Sequence, residues 1–221
     1  MTLPDKSAVD YSLYLVTDRS LSCGRSTIDV VREAVAGGVT IVQLRDKQAV
    51  TREFYREACK IRDFLKSKCV PLIVNDRIDI ALAIDADGVH LGADDMPIDV
   101  ARRLLGDGKI IGASVFTLDD AVSAVQQGAD YLGLSPIFMT ATKPELVEKI
   151  GIEGIARFRN SIDIPLVGIG GLNVTNAYDA IRAGLDGLAI VSAIVAHSDP
   201  ASSARSIKSE IQRARKETRR P

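Results

Sequence analysis

The chain has 221 residues, 46% hydrophobic and 26% charged, with 28 Lys and Arg against 29 Asp and Glu for a formal net charge of -1. That composition supports a continuous buried core, and so even a charge gives no electrostatic case for nucleic acid or an anionic membrane. The longest nearly apolar stretch, 187–196, is about half the roughly 20 residues that a spanning helix needs. Cys23, Cys59 and Cys69 are too few and wrongly spaced for a disulfide framework or a zinc site. The opening Met-Thr-Leu-Pro-Asp-Lys lacks the apolar region of a signal peptide, which predicts a cytoplasmic protein.

In chain order, short runs rich in Val, Ile and Leu predict strands at 14–17, 40–44, 71–74, 88–91, 109–114, 131–135, 165–169 and 187–191. Most are apolar throughout rather than alternating, the pattern of parallel strands buried on both faces. Helical patterns follow at 27–36, 52–66, 97–105, 118–127, 174–183 and 200–215, with a shorter one at 78–83. The segments 36–39, 85–89, 128–131 and 183–187 repeat one arrangement, in which a glycine is expected to end a helix in the left-handed conformation before the next strand.

Eight strand and helix units predict a single α/β domain, a (β/α)8 TIM barrel over residues 1–221. An N-terminal extension would run from 1 to about 10, and a frayed tail from about 217 to 221. The rival, an open doubly wound sheet, lacks support because no early Gly-x-Gly-x-x-Gly turn is present. The basic end of the last helix, with Arg213, Arg215, Lys216, Arg219 and Arg220, reads as a solvated face favoured by the helix dipole rather than a nucleic-acid arm.

In such a barrel, chemistry sits at the C-terminal ends of the strands. Polar residues gather there: Gln43, Arg45, Asp46 and Lys47 after strand two; Asn75, Asp76 and Arg77 after strand three; Asp94 and Asp95 after strand four. Ser114 ends strand five, Thr140, Thr142 and Lys143 follow strand six, and Gly170, Gly171 and Ser192 close the series. Gln43, Arg45 and Lys47 have period two, so an extended segment turns them to one side, where two cations and an amide suit a diphosphate. The alternative is an internal ion-pair network.

Asp76 and Asp95 are the candidate ligands for Mg2+, which binds a few carboxylates and substrate phosphate oxygens while keeping water. Each could instead cap the helix that follows it. Gly168 to Gly171, followed by Asn173, offers bare backbone amides for a phosphate, or simply a strand-to-helix turn. The stretch 138–151 is the longest irregular connection and has the composition of a mobile anion clamp, or is simply an exposed loop. His90 reads as a hydrogen-bonded interior residue and His197 as superficial. No Ser/His/Asp or Cys/His arrangement is evident, which argues against a protein nucleophile.

The ordered set Tyr-Leu-Val-Thr-Asp (14–18), Val-Gln-Leu-Arg-Asp-Lys (42–47), Leu-Ile-Val-Asn-Asp-Arg (72–77), Gly-Val-His-Leu-Gly (88–92) and Asp-Met-Pro (95–97) resembles the thiamine-phosphate synthase (thiamine-phosphate pyrophosphorylase) family. So do Ile-Gly-Ala-Ser (111–114), Gly-Ala-Asp-Tyr-Leu-Gly-Leu-Ser-Pro-Ile-Phe (128–138), Thr-Ala-Thr-Lys (140–143), Ile-Gly-Gly (169–171) and Val-Ser-Ala-Ile (191–194). The resemblance implies an Mg2+-assisted transferase that joins 4-amino-2-methyl-5-(diphosphooxymethyl)pyrimidine to a hydroxyethylthiazole phosphate, giving thiamine phosphate and diphosphate. It implies small phosphorylated substrates as the partners, with neither nucleic acid nor membrane.

By the same resemblance, Gln43, Leu44, Arg45, Asp46, Lys47, Asn75, Ser114 and Lys143 match pyrimidine-diphosphate contacts, with Arg45, Lys143 and Ser114 as the catalytic set. Asp76 and Asp95 match the magnesium ligands. Thr140, Ala141, Thr142, Gly171, Val191 and Ser192 match thiazole-phosphate contacts. Two positions depart from the family pattern. Phe116 stands where the family usually has a histidine, the residue that related thiazole tautomerases use for proton transfer. Met139 replaces the proline usual before the first threonine of the strand-six loop. A thiazole tautomerase and a non-catalytic phosphate-binding barrel are the alternative functions.

Overall fold

In the computed structural model, residues 6–139 and 149–218 are described. Eight parallel strands close on themselves in sequence order: β1 (Leu13–Val16), β2 (Ile41–Leu44), β3 (Leu72–Asn75), β4 (Gly88–Leu91), β5 (Ile110–Val115), β6 (Tyr131–Leu134), β7 (Leu166–Ile169) and β8 (Gly187–Ile190). β8 pairs back onto β1 through Tyr14 and Ala189, which completes the TIM barrel. The open-sheet alternative is thereby excluded.

The outer layer consists of α1 (Thr27–Ala36), α2 (Thr51–Lys68), α3 (Ile78–Ala83), α4 (Ile98–Leu105), α5 (Leu118–Gln126), α6 (Gly151–Arg159), α7 (Ala177–Arg182), α8 (Ser192–Val195) and α9 (Pro200–Thr218). Outward strand residues such as Leu15, Leu44, Val74, Leu132 and Leu188 pack under these helices in the larger of two apolar clusters. A smaller cluster fills the barrel itself with Tyr11, Tyr14, Val16, Ile41, Ile73, Ile110, Tyr131, Val167 and Ala189. Both faces of each strand are therefore buried, which is why the strands read as continuous apolar runs.

Register and alternation arrange the inward residues in layers of four. Tyr14, Ile73, Gly112 and Val167 from the odd strands lie below Gln43, His90, Gly133 and Ala189 from the even strands, and Val16, Asn75, Ser114 and Ile169 form the top. The glycines in these layers are spaces for neighbours. A Cβ on Gly112 would meet the Tyr131 ring at 2.1 Å, and one on Gly133 would meet His90 Cε1 at 3.0 Å.

The expected glycine stops hold at Gly38, Gly128 and Gly184, all with positive φ. At 85–89 the left-handed residue is Asp85 (φ 54°), which a short polar side chain tolerates. Gly88 lies within β4 instead, where a Cβ would come 2.2 Å from the Ile110 carbonyl oxygen. α7 begins at Ala177 rather than 174, because Asn173 and Asn176 hold the preceding turn: Asn176 Oδ1 accepts the Asn173 amide, and Asn173 Oδ1 accepts that of Thr175. α9 continues to Thr218, past the expected start of fraying, and Tyr178 donates to the Glu217 carboxylate there. No helix among the described residues is long and apolar enough to cross a membrane.

Candidate active site

The C-terminal ends of the strands surround a cavity of about 220 Å³. Of the residues expected at the site, Gln43, Arg45, Asn75, Ser114, Gly171, Val191 and Ser192 line it. Gln43 comes from the buried inner face of β2, and the next residue, Leu44, points the other way into the layer beneath the helices. The Leu44 side chain is therefore not among the groups presented to a ligand. Asp46 turns away as well, its Oδ1 accepting the amides of Gln48 and Ala49 at 3.0 Å each.

Thr17 fixes Arg45 at the rim. The Thr17 hydroxyl accepts the Arg45 amide at 2.9 Å and donates to the Arg45 carbonyl at 3.2 Å, while the guanidinium lies 3.7 Å from Asp18. Asp18 also accepts the Ser20 amide and hydroxyl, so its carboxylate is braced where it meets Arg45. Both Thr17 and Asp18 line the cavity, and sequence reasoning passed them over although they follow β1 at the rim where function was sought.

Asp76 directly follows the cavity-lining Asn75 in the left-handed conformation (φ 62°), a conformation that costs an L-residue roughly 1–2 kcal/mol. Its amide donates to the His90 carbonyl at 3.0 Å, and its carboxylate lies 3.3 Å from Lys47 Nζ. Asp95 is held by a tight turn, accepting the Gly92 amide at 2.6 Å. Neither acid caps a helix: α3 starts after Arg77 and α4 after Pro97, both without a side-chain cap. Helix capping is thus absent for both carboxylates, although Asp95 closes the Gly92 turn and Asp76 pairs with Lys47.

Burial pushes the Asp95 carboxyl above the ordinary carboxylate range, and the adjacent Asp76 carboxyl adds to the rise while the Gly92 amide and Lys47 oppose it. Two adjacent carboxyls, with one ammonium beside them, form a small concentration of negative charge suited to a cation. Among the described residues no cluster of three or more metal-binding side chains occurs. Two carboxylates fit Mg2+, which takes its remaining oxygens from water and phosphate.

On the far side of the cavity, Gly170 and Gly171 have φ of 99° and 64°, and a Cβ on Gly171 would lie 2.7 Å from the Met139 carbonyl oxygen. Only a bare backbone fits between β7 and the segment after β6. Thr140, Ala141, Thr142 and Lys143, expected in that segment, lie outside the described residues. Phe116 is exposed, one residue beyond β5 and immediately before the cap of α5.

The cavity floor holds groups that a rim-based reading cannot find. Gln43 Nε2 donates to Tyr14 Oη at 3.1 Å, Tyr14 Oη lies 2.9 Å from Tyr131 Oη, and Tyr131 Oη lies 2.9 Å from His90 Nδ1. His90 Nε2 in turn lies 2.9 Å from Ser114 Oγ. His90 is the hydrogen-bonded interior residue that the sequence led us to expect, yet it also lines the cavity. Desolvation holds the Tyr14 and Tyr131 hydroxyls well above the ordinary tyrosine range, so both remain protonated.

A family model described as thiamine monophosphate synthase matches residues 13–194, all eight strands included. The chain belongs to the thiamine monophosphate synthase family. It is 52% identical over 203 residues to the thiamine-phosphate synthase of Chloroflexus aurantiacus, a match covering 92% of this chain and 94% of that one. It is also 52% identical over 199 residues to the thiamine-phosphate synthase of Syntrophomonas wolfei, covering 90% of this chain and 95% of that one. Among solved structures, thiamine phosphate pyrophosphorylase from Pyrococcus furiosus superposes with a TM-score of 0.86 at 39% identity, covering 93% of this chain and 98% of that chain.

Proposed function

We propose that this chain is a thiamine-phosphate synthase that joins 4-amino-2-methyl-5-(diphosphooxymethyl)pyrimidine to a hydroxyethylthiazole phosphate, with Mg2+ at Asp76 and Asp95. The observation that supports the reading is that Gln43, Arg45, Asn75 and Ser114 line one cavity, while Lys47, Asp76 and Asp95 meet one another in the segments that follow β2, β3 and β4. Mg2+, when bound, supplies charge neutralisation to the diphosphate oxygens.

Arg45 is braced from below by Thr17 and from the side by Asp18, so its guanidinium is held ready for a departing anion. Gln43, Asn75 and Ser114 bind and orient the pyrimidine diphosphate between the floor and the rim. Lys143 serves as a second cation on the leaving group. The bond from the pyrimidine methylene carbon to diphosphate oxygen breaks, the electron pair leaves with diphosphate, and the thiazole nitrogen supplies the pair that forms the new carbon–nitrogen bond. Gly171, Val191 and Ser192, with Thr140, Ala141 and Thr142, hold the thiazole phosphate so that its nitrogen meets the methylene carbon. Apolar walls from Val16, Val167 and Ile169 keep water from competing for that carbon. No protein nucleophile is required.

Incubation of the purified chain with both phosphorylated precursors and Mg2+ tests the assignment, with thiamine phosphate and one equivalent of diphosphate as the expected products. Isomerisation of a thiazole carboxylate phosphate without condensation would assign the tautomerase instead. Tight ligand binding without turnover would assign a non-catalytic barrel.

A further inference from the structure

We propose that the series Gln43–Tyr14–Tyr131–His90–Ser114 is a hydrogen-bond chain of fixed direction, in which His90 is a positioning residue that sets what the cavity floor offers an aminopyrimidine ring. The inference rests on the pyrimidine site of the proposed function and deepens it.

Each of the four links is 2.9–3.1 Å long, and the series crosses the barrel from β2 to β5 through β1, β6 and β4. A neutral imidazole has one donor and one acceptor, and each tyrosine hydroxyl has one proton, so the direction of one link determines all the others. Two features set it. Gln43 turns its NH2 group to Tyr14, leaving Tyr14 to donate to Tyr131 and Tyr131 to His90 Nδ1. A phenol is also a stronger acid than a serine hydroxyl, so the firmer link to imidazole nitrogen is the one that Tyr131 donates.

Run in that direction, the chain makes His90 the Nε2–H tautomer, which donates to Ser114. The Ser114 hydroxyl, exposed to the cavity, then keeps its own proton for a ligand, while Gln43 keeps its carbonyl oxygen. The floor therefore presents one donor and one acceptor. A 4-aminopyrimidine is complementary, with an acceptor ring nitrogen and a donor amino group. A 4-oxo ring places an acceptor where the amino group donates, and it would leave buried groups unpaired. Reversal of the chain would exchange both ends, so His90 and the two tyrosines act on selectivity without touching the diphosphate.

The architecture is built to admit this chain. Gly112 makes the space that the Tyr131 ring occupies, and Gly133 makes that for His90. Tyr131 begins β6, far from the rim, and reaches the floor only by crossing that space.

The chain has only two histidines, His90 and His197, so a histidine-labelled nitrogen-15 NMR spectrum of the full-length protein contains two imidazoles, assigned with His90→Gln. At about pH 8, where imidazole is neutral, His90 should carry its proton on Nε2 with Nδ1 as acceptor. A proton on Nδ1 overturns the proposal whether or not the protein turns over. The second measurement is binding of 4-amino-5-hydroxymethyl-2-methylpyrimidine phosphate and of its 4-oxo counterpart by calorimetry. The wild type should prefer the amino compound by at least about tenfold, His90→Phe should reduce that preference to within about threefold, and His90→Gln should restore part of it. Equal weakening of both compounds in His90→Phe, with the preference intact, would reduce His90 to a structural part and reject its positioning role. If neither compound binds the wild type and the two-precursor condensation gives no product, the functional assignment fails, and the tautomer still decides the direction of the chain.

Discussion

The Asp130 carboxylate accepts the Ile111 amide at 2.7 Å, tying the residue before β6 to the start of β5 at the pole opposite the cavity. The same link recurs around the barrel. Thr40 Oγ1 accepts the Leu13 amide at 3.1 Å, Asp87 that of Leu72 at 2.7 Å, and Asp186 that of Leu166 at 2.8 Å. In each case a side-chain oxygen just ahead of an even strand satisfies an amide at the start of the preceding odd strand, the first residue in β1, β3 and β7 and the second in β5. Asp130 is the most heavily used of the four, since it also holds Arg102 at 2.6 Å and Lys6 at 3.1 Å.

Asp130→Ala should therefore destabilise the fold by about 2–4 kcal/mol, because it removes the charge partner of the partly buried Arg102 guanidinium and leaves a strand amide unpaired. Chemical denaturation measures the loss. Turnover by the protein that remains folded should be unaltered, since the residue lies at the pole away from the cavity.

Arg45→Ala is expected to lower kcat/KM by roughly 10²–10³, the usual effect of removing one donor that meets charge in the transition state. Arg45→Lys should recover only part of it, because a lysine ammonium lacks the planar fork. Steady-state kinetics with the pyrimidine diphosphate varied would show the change.

Asp95→Asn should keep the Gly92 turn acceptor while removing the charge that draws a cation. The expected results are a loss of roughly 10²-fold or more in kcat/KM and a higher Mg2+ concentration for half-maximal rate. Chelation of divalent ions should abolish turnover in the wild type. An unchanged Mg2+ dependence in Asp95→Asn would remove Asp95 from the metal site.

Gly112→Ala places a methyl group within the volume of the Tyr131 ring. Overpacking of this kind costs typically 1–3 kcal/mol, and the tyrosine must shift to relieve it. Loss of the Tyr131–His90 hydrogen bond should follow, visible as a change in the His90 imidazole signal.

The capping box of α5 makes a prediction about acid. Thr117 Oγ1 accepts the Asp120 amide at 3.1 Å and Asp120 accepts the Thr117 amide at 3.0 Å. Hydrogen bonds from the Thr117 side chain and then its backbone hold the Asp120 carboxyl below its ordinary range. The fold thus favours the ionised form, so the contribution is complete above about pH 4 and is lost as pH falls through the folded value. Denaturation of wild type and Asp120→Asn across that range should show the wild-type advantage disappear in acid. Thr117→Ala should cost about 1 kcal/mol at neutral pH.

How much of the molecule was legible before any coordinates follows from the range of the forces involved. Strand and helix order, the eight-unit barrel and the strand-end position of Arg45, Asn75 and Ser114 come from local periodicity and chain direction, which are written in consecutive residues. α7 shows the limit of that reading: its start moved to Ala177 because two asparagine side chains outcompeted helix propensity in the turn.

The sequence by itself determined the barrel and the chemical character of its mouth, because burial on both strand faces and polar residues at strand ends leave a one-dimensional pattern. Tertiary structure alone decided that Asp76 and Asp95 do not cap helices, that Thr17 and Asp18 brace Arg45, and that Tyr131 reaches His90 through the space above Gly112. The bracing of Arg45 and the Tyr131–His90 contact join residues 27 to 41 positions apart, one of them through the space of a side chain that is missing, and they exist only once the cylinder has closed.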